Sequence, residues 1–222
     1  MAQAQGARMN LLYEAHDLCR IYGGITALSL PFFRMEQGET VVLTGRNGSG
    51  KSTLLRMLAF LEKPDSGTLT YTGDNISPRR EITLLLQEPY LMRASVFWNV
   101  TLGLRLRGAD EETLIKRYEE CMLAVGFADP GRFPARRSGE LSGGEKQRIA
   151  LASRLVLSPK VLLLDEPTSN VDEASEKAIL DVVRSLREKG VSVVCATHDR
   201  AMAEALGARE VRLSHRPSMQ GL

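Results

Sequence analysis

Gly45-Arg46-Asn47-Gly48-Ser49-Gly50-Lys51-Ser52-Thr53 is the stretch from which the rest of the chain is read. An apolar, β-branched run, Val41-Val42-Leu43-Thr44, leads into it, and a helical pattern, Leu54-Leu55-Arg56-Met57-Leu58-Ala59, leads out. Strand, glycine-rich loop and helix in that order are the setting of a phosphate-binding loop. Gly45, Gly48 and Gly50 allow backbone conformations that a side chain forbids, so that N–H groups converge on an anion. The helix that follows presents its positive end to the same anion. Lys51 adds a mobile positive charge for β- and γ-phosphates, and the Ser52 hydroxyl is a ligand for Mg²⁺. A plain glycine-rich turn has no need of this lysine and hydroxyl. The reading is a nucleoside triphosphate site.

Composition sets the bounds. At 222 residues the chain makes one large domain, or one domain with a substantial insertion. Hydrophobic residues at 43% support a buried core, and a formal charge of +2 gives no basis for nucleic acid or an anionic membrane as partner. Cys19, Cys121 and Cys195 are widely spaced and read as buried thiols in a reducing compartment, not as metal ligands. No apolar run approaches the roughly 20 residues that span a bilayer, and residues 1–8 lack the apolar core of a signal peptide. A cytosolic chain is expected unless a partner carries it to a membrane.

Residues 11–44 read as short strands with turns at Gly23-Gly24 and Gln37-Gly38. Tyr22, just before the first turn, either covers core or offers its ring to an adenine. Beyond the loop's helix, Thr68–Tyr71 and Ile82–Leu86 read as a strand pair around the polar loop 73–80. The second strand is continuously apolar and so buried on both faces. It ends at Gln87, either a surface residue or a crevice residue at a strand's carboxyl end.

From Glu88 to Leu157 helical patterns dominate, notably Ser95–Leu104 and Asp110–Val125, with Leu114, Ile115, Tyr118, Met122 and Val125 along one face of the latter. This segment reads as a helical insertion. Tyr90, Leu91, Met92, Val96, Phe97 and Trp98 either form its core or line a docking groove.

Leu141-Ser142-Gly143-Gly144-Glu145 opens a further helix, with Ser142 and Glu145 spaced as a capping box. Glycines in a first turn each cost about 1 kcal/mol of helix propensity relative to alanine. Such a bare helix start lets an anion approach the free N–H groups, which makes Ser142, Gly143 and Gly144 a second phosphate-binding end. Val161–Leu164 is a buried strand ending in Asp165-Glu166. Beside a phosphate loop, the first carboxylate holds Mg²⁺ and the second orients and deprotonates a water. Glu173–Lys189 has the composition of an exposed helix, Val191–Ala196 forms a last buried strand before Thr197-His198-Asp199, and Glu210–Leu213 a closing one. A lone histidine at His198 would ordinarily be a structural hydrogen-bonder.

Together, and in this order, these pieces resemble the nucleotide-binding domain of ATP-binding-cassette (ABC) transporters over about residues 11–213; Leu141–Glu145 matches the family's signature. The resemblance implies an α/β fold: a P-loop NTPase (RecA-like) core of mostly parallel sheet with flanking helices, an N-terminal antiparallel β subdomain and an inserted α-helical subdomain. Core and β subdomain would take 11–87 and 158–213, the helical subdomain 88–157, with 1–10 and 214–222 as loose termini. The resemblance implies ATP and Mg²⁺ as cofactors. Tyr22 would stack on adenine; Gly45, Asn47, Gly48, Ser49, Gly50, Lys51, Ser52 and Thr53 would form Walker A; Gln87 would contact Mg²⁺ and sense the membrane partner. Asp165 would close Walker B, Glu166 would be the catalytic carboxylate and His198 the switch histidine at the γ-phosphate. Ser169-Asn170-Val171-Asp172 stands where the family commonly has Ser-Ala-Leu-Asp, which keeps Asp172 in the D-loop.

One Walker A and one signature make a single half, so the resemblance implies a head-to-tail pair with Ser142, Gly143 and Gly144 supplied in trans. It further implies transmembrane permease subunits as partners, a peripheral place on the cytoplasmic side of the membrane, and importer-type coupling of the tungstate or oxyanion kind with a solute-binding protein. Alternatives are a soluble ABC ATPase of DNA repair or translation, or a lipoprotein-release or efflux ATPase. The former usually carry paired cassettes, a long coiled coil or zinc-binding cysteines, which this sequence does not show. A GTPase is disfavoured because no Asn-Lys-x-Asp occurs.

Overall fold

The hairpin that starts the described chain turns on Gly23 and Gly24, both left-handed at φ 54° and 82°. Two positive φ values in a two-residue loop suit the right-handed twist of the flanking strands. The structure, a computed structural model, describes residues 10–73 and 77–214; the expected loose ends, 1–10 and 214–222, lie outside them except for Asn10 and Ser214. In chain order come β1 (Leu11–Tyr22), β2 (Ile25–Glu36), β3 (Thr40–Thr44), α1 (Lys51–Leu58), β4 (Ser66–Tyr71) and β5 (Ile82–Leu85). Then follow α2 (Val96–Leu106), α3 (Glu111–Ala124), α4 (Gly143–Leu155), β6 (Val161–Asp165), α5 (Glu173–Glu188), β7 (Ser192–Ala196), α6 (Arg200–Leu206) and β8 (Arg209–Arg212).

Two sheets form. The first is antiparallel in the order β2-β1-β4, and the second is parallel throughout in the order β5-β6-β7-β3-β8. The expected α/β fold with an added antiparallel sheet is present. Two details differ from the sequence reading. The first two strands are long, 12 residues each, because they pair along nearly their whole length. And Thr68–Tyr71 does not pair with Ile82–Leu86: β4 joins β1, while β5 joins β6 in the other sheet. The burial patterns give the reason. β4 is mostly exposed and suits an edge, whereas all of β5 is buried and requires cover on both faces.

The side-chain alternation of the parallel strands sorts the core into two. Val42, Leu85, Leu162, Leu164, Val193 and Cys195 face one cluster, shared with α2, α3, α4 and α5. Val41, Leu43, Leu163, Val194 and Ala196 face the other, shared with α1 and the antiparallel sheet. A period of two sends successive residues to opposite faces, so one short apolar strand serves both cores. The helical segment's apolar residues therefore form one cluster with the sheet.

On α3, Leu114, Tyr118, Cys121 and Met122 are buried, but Ile115 is 46% exposed and does not belong to the inner face. α5 is amphipathic: Ile179, Val182 and Val183 pack inward. Of the three thiols, Cys121 and Cys195 are buried and Cys19 only partly so.

Candidate functional site

The loop between β3 and α1 is held where only glycine fits. Gly45, Gly48 and Gly50 have φ of 150°, 79° and 95°. A side chain at Gly45 would meet the Leu213 carbonyl and the Ser49 hydroxyl at 2.5 Å, and one at Gly50 would meet the Ala27 carbonyl at 2.6 Å. The chain around the loop is therefore backbone-tight, and the Ser49 hydroxyl is buried with no hydrogen-bond partner among the described residues. Lys51, the first residue of α1, is buried at 7% exposure and donates from Nζ to the Gly45 carbonyl at 2.9 Å.

Three carboxyl ends of parallel strands deliver the remaining groups. β6 ends in Asp165, and the next residue, Glu166, sits in the left-handed region at φ 47° with its N–H donating to the Ala196 carbonyl at 2.9 Å. That turn aims the Glu166 side chain at two neighbours. Lys51 Nζ lies 3.5 Å from Oε1, and His198 Nδ1, from the end of β7, lies 2.7 Å from Oε2. The His198 backbone N–H also donates to Oε2 at 3.3 Å. Asp165 is buried, and its Oδ1 has no hydrogen-bond partner among the described residues. Burial pushes its carboxyl above the usual carboxylate range and the neighbouring Glu166 adds to this, while the Ser52 hydroxyl, Arg56 and Lys51 oppose it.

A groove of about 400 Å³ collects most of the residues singled out in the sequence. Tyr22, the loop from Asn47 to Thr53, Gln87 from the end of β5, and Glu166 line it. Gly45 lies behind the loop as the Lys51 acceptor, and Asp165 and His198 flank Glu166. Arg56 and Ala27 also line the groove. Neither carried a sequence signal: Arg56 reads as an ordinary outward residue of α1, and Ala27 is a small residue in a strand.

Tyr22 is half-exposed. Arg20 sits over its ring at 4.8 Å, and its hydroxyl is hydrogen-bonded to Glu62.

The second glycine-bearing helix end stands apart from this groove. Ser142 caps α4, its Oγ accepting from the Glu145 N–H at 3.2 Å while Glu145 Oε2 accepts from the Ser142 N–H at 2.8 Å. Ser142 and Gly143 are exposed. Gly144 is buried, and a side chain there would press into Asp172 Oδ2 and Ser175 Oγ. Close packing between the starts of α4 and α5 gives this glycine a steric reason of its own. Asp172 caps α5 by accepting from the Ser175 N–H at 2.9 Å, and that bond holds its carboxyl below the usual range.

Residues 31–169 match the protein family described as ABC transporter. The chain belongs to this family. The ABC relatives include the cell division ATP-binding protein FtsE of Escherichia coli K12, 36% identical over 203 residues, covering 86% of this chain and 90% of FtsE. The tungstate uptake system ATP-binding protein TupC of Peptoclostridium acidaminophilum is 34% identical over 195 residues, covering 86% of this chain and 88% of TupC. Among solved structures, the dimeric ABC cassette MJ0796 in a post-hydrolysis state bound to ADP and Pi superposes with a TM-score of 0.81 at 31% identity, over 91% of this chain and 94% of that one. The protein is an ABC ATPase subunit with the P-loop NTPase fold of these cassettes, and it binds ATP. Among the described residues no helix is long and apolar enough to cross a membrane.

Proposed function

We propose that this cassette hydrolyses ATP as half of a head-to-tail pair of copies, and that the pair drives separate transmembrane subunits from the cytoplasmic face of the membrane. The observation that carries the proposal is the separation of two anion-binding helix ends. The end of α1 belongs to the groove, whereas Ser142 and Gly143 at the end of α4 face solvent with no phosphate site of their own. Four unpaired N–H groups open every helix, and an exposed glycine start leaves them accessible to an anion. A second copy turned head to tail offers that anion. The dimeric state of MJ0796 supports the arrangement.

Within one groove the roles follow from position. The N–H groups of Gly45, Asn47, Gly48, Ser49 and Gly50 cradle the phosphates, and Lys51 turns from the Gly45 carbonyl toward the β- and γ-phosphates. Thr53 supports the loop, and Tyr22 stacks on adenine. Mg²⁺ would fit the Ser52 hydroxyl, the Gln87 amide oxygen and Oδ1 of Asp165, which has no hydrogen-bond partner among the described residues, because it takes oxygen ligands and completes its octahedral shell with phosphate and water. When bound, the ion offsets charge on the departing phosphate oxygens. Glu166 accepts a proton from the attacking water. His198, 2.7 Å from Glu166, holds that carboxylate in place beside the γ-phosphate. Asp172 fixes the α4–α5 junction that presents Ser142, Gly143 and Gly144 to the partner.

The membrane subunit docks beside Gln87. A cavity of about 760 Å³ opens between Pro89–Arg93 and Arg137–Lys146. Tyr90 is 80% exposed beside it, while Val96 and Phe97 pack inside, Phe97 edge-on to Tyr118 at 5.0 Å. The apolar cluster thus divides into a buried part and an outer part suited to a short partner helix. Uptake of a solute such as an oxyanion is the direction that the likeness to TupC supports, and a solute-binding protein would deliver it.

Sedimentation of Glu166→Gln tests the pairing. ATP should give a species of twice the monomer mass, and ADP should not. A monomer under both conditions overturns the head-to-tail site.

A further inference from the structure

The end of β1 is tied to the end of α1 by a cluster of side chains that the phosphate chemistry does not use. After α1 the chain folds back: the N–H groups of Leu61 and Glu62 both donate to the Arg56 carbonyl, at 2.9 and 3.3 Å. This return places the Glu62 carboxylate between three partners. It accepts from the Tyr22 hydroxyl, lies 3.7 Å from Arg20 Nε and lies 3.8 Å from Arg56 Nη1. Arg20 is itself held by Asp65 at 3.0 Å, and Asp65 also accepts from the Ile21 N–H at 2.7 Å. With Arg20 fixed over one face of the Tyr22 ring, only the other face remains for a flat ligand.

Two of the three Glu62 partners, Tyr22 and Arg56, line the nucleotide groove, yet Glu62 does not. Tyr22 is half-exposed at the end of a strand, next to a glycine turn. A side chain so placed loses rotamer freedom when a ligand immobilises it, and holding it beforehand removes that cost from binding.

We infer that Glu62 is a positioning residue for the nucleobase: it pins the Tyr22 phenol and the Arg56 guanidinium so that the base meets a preset ring. This rests on the reading of Tyr22 as the base-stacking residue. Among the described residues the Glu62 side chain is paired with Tyr22, Arg20 and Arg56 and not with the phosphate loop, so its contribution belongs to the base half of the ligand and not to the triphosphate half.

Calorimetric titration of the full chain with ATP, and separately with inorganic tripolyphosphate, separates the halves. Glu62→Ala should weaken ATP binding by about 3–10-fold, the effect of one side chain left to be ordered by the ligand. Tripolyphosphate binding should not change, and in turnover KM should rise with kcat unchanged. Tyr22→Phe, which keeps the ring and loses the hydroxyl, should weaken ATP binding to a similar extent, and the double variant should be no weaker than Glu62→Ala. Glu62→Gln, which keeps an acceptor for the phenol, should recover most of the loss. An equal loss of tripolyphosphate binding in Glu62→Ala would overturn the inference, since Glu62 would then support α1 as a whole. So would normal ATP binding in Glu62→Ala when Tyr22→Ala binds ATP weakly. If Tyr22→Ala itself binds ATP normally, the stacking reading fails and the positioning role with it. The Tyr22→Ala arm tells these two failures apart.

Discussion

The two glycine-bearing helix starts of this cassette, at α1 and at α4, look alike in sequence and differ in what surrounds them. At α1 three glycines sit at positive φ, two of them against backbone carbonyls, a lysine is drawn back onto the loop, and two carboxylates and a histidine arrive from neighbouring strands. At α4 the helix is capped by its own serine and glutamate, one glycine is exposed, and the other is spent on packing against α5. The first end gathers a lysine, two carboxylates and a histidine from one chain. The second has donors and no chemistry. A helix end is thus a binding element in general, and only its neighbours make it catalytic.

That contrast can be broken at several points. Glu166→Gln acts on the chemical end: turnover should fall by about 10²–10⁴-fold while calorimetric ATP binding stays, the loss expected of a general base. Near-normal turnover would remove Glu166 from that role. Ser142→Arg acts on the other end. It should leave ATP binding intact and, combined with Glu166→Gln, abolish the ATP-dependent dimer in sedimentation. On its own it should lower turnover by at least about tenfold, the scale of one lost set of phosphate contacts. If both dimer and turnover survived, the two ends would not meet.

Gly144→Ala sharpens the distinction between access and packing. Forcing a methyl group against Asp172 and Ser175 should destabilise the fold by about 1–3 kcal/mol, read as a lower thermal midpoint. Gly143 has only the Asn170 carbonyl at 3.7 Å, so Gly143→Ala should leave the midpoint unchanged. The smallest effect on the isolated chain belongs to Tyr90→Glu, whose midpoint should shift within about 0.5 kcal/mol of stability, as exposed sites do. Its consequence should appear only in co-purification with the transmembrane subunits, which should fail. Retained complex formation would move the docking surface elsewhere.

Local pattern and motif carried much of this in advance. The phosphate loop, the capped start of α4 and the carboxylates at the end of β6 are set by residues adjacent in the chain. So is the burial of β5, β6 and β7, because an unbroken apolar strand has no face to give to water. What the sequence could not decide are relations between residues far apart. Hydrophobic pattern says that β4 and β5 are strands, but which sheet each joins depends on edges created by β1 and β6. Two consecutive glycines look equivalent until α5 arrives beside one of them. Ile115 and Cys121 both fit a helical stripe, and the surrounding helices chose Cys121. Tyr22 and Glu62 are 40 positions apart and share no motif, so their hydrogen bond exists only because α1 folds back beside the end of β1. Sequence determines what a residue can do within a turn or two; contacts across the fold settle which of those capacities is used, because packing and pairing are properties of neighbours that the chain brings together only when folded.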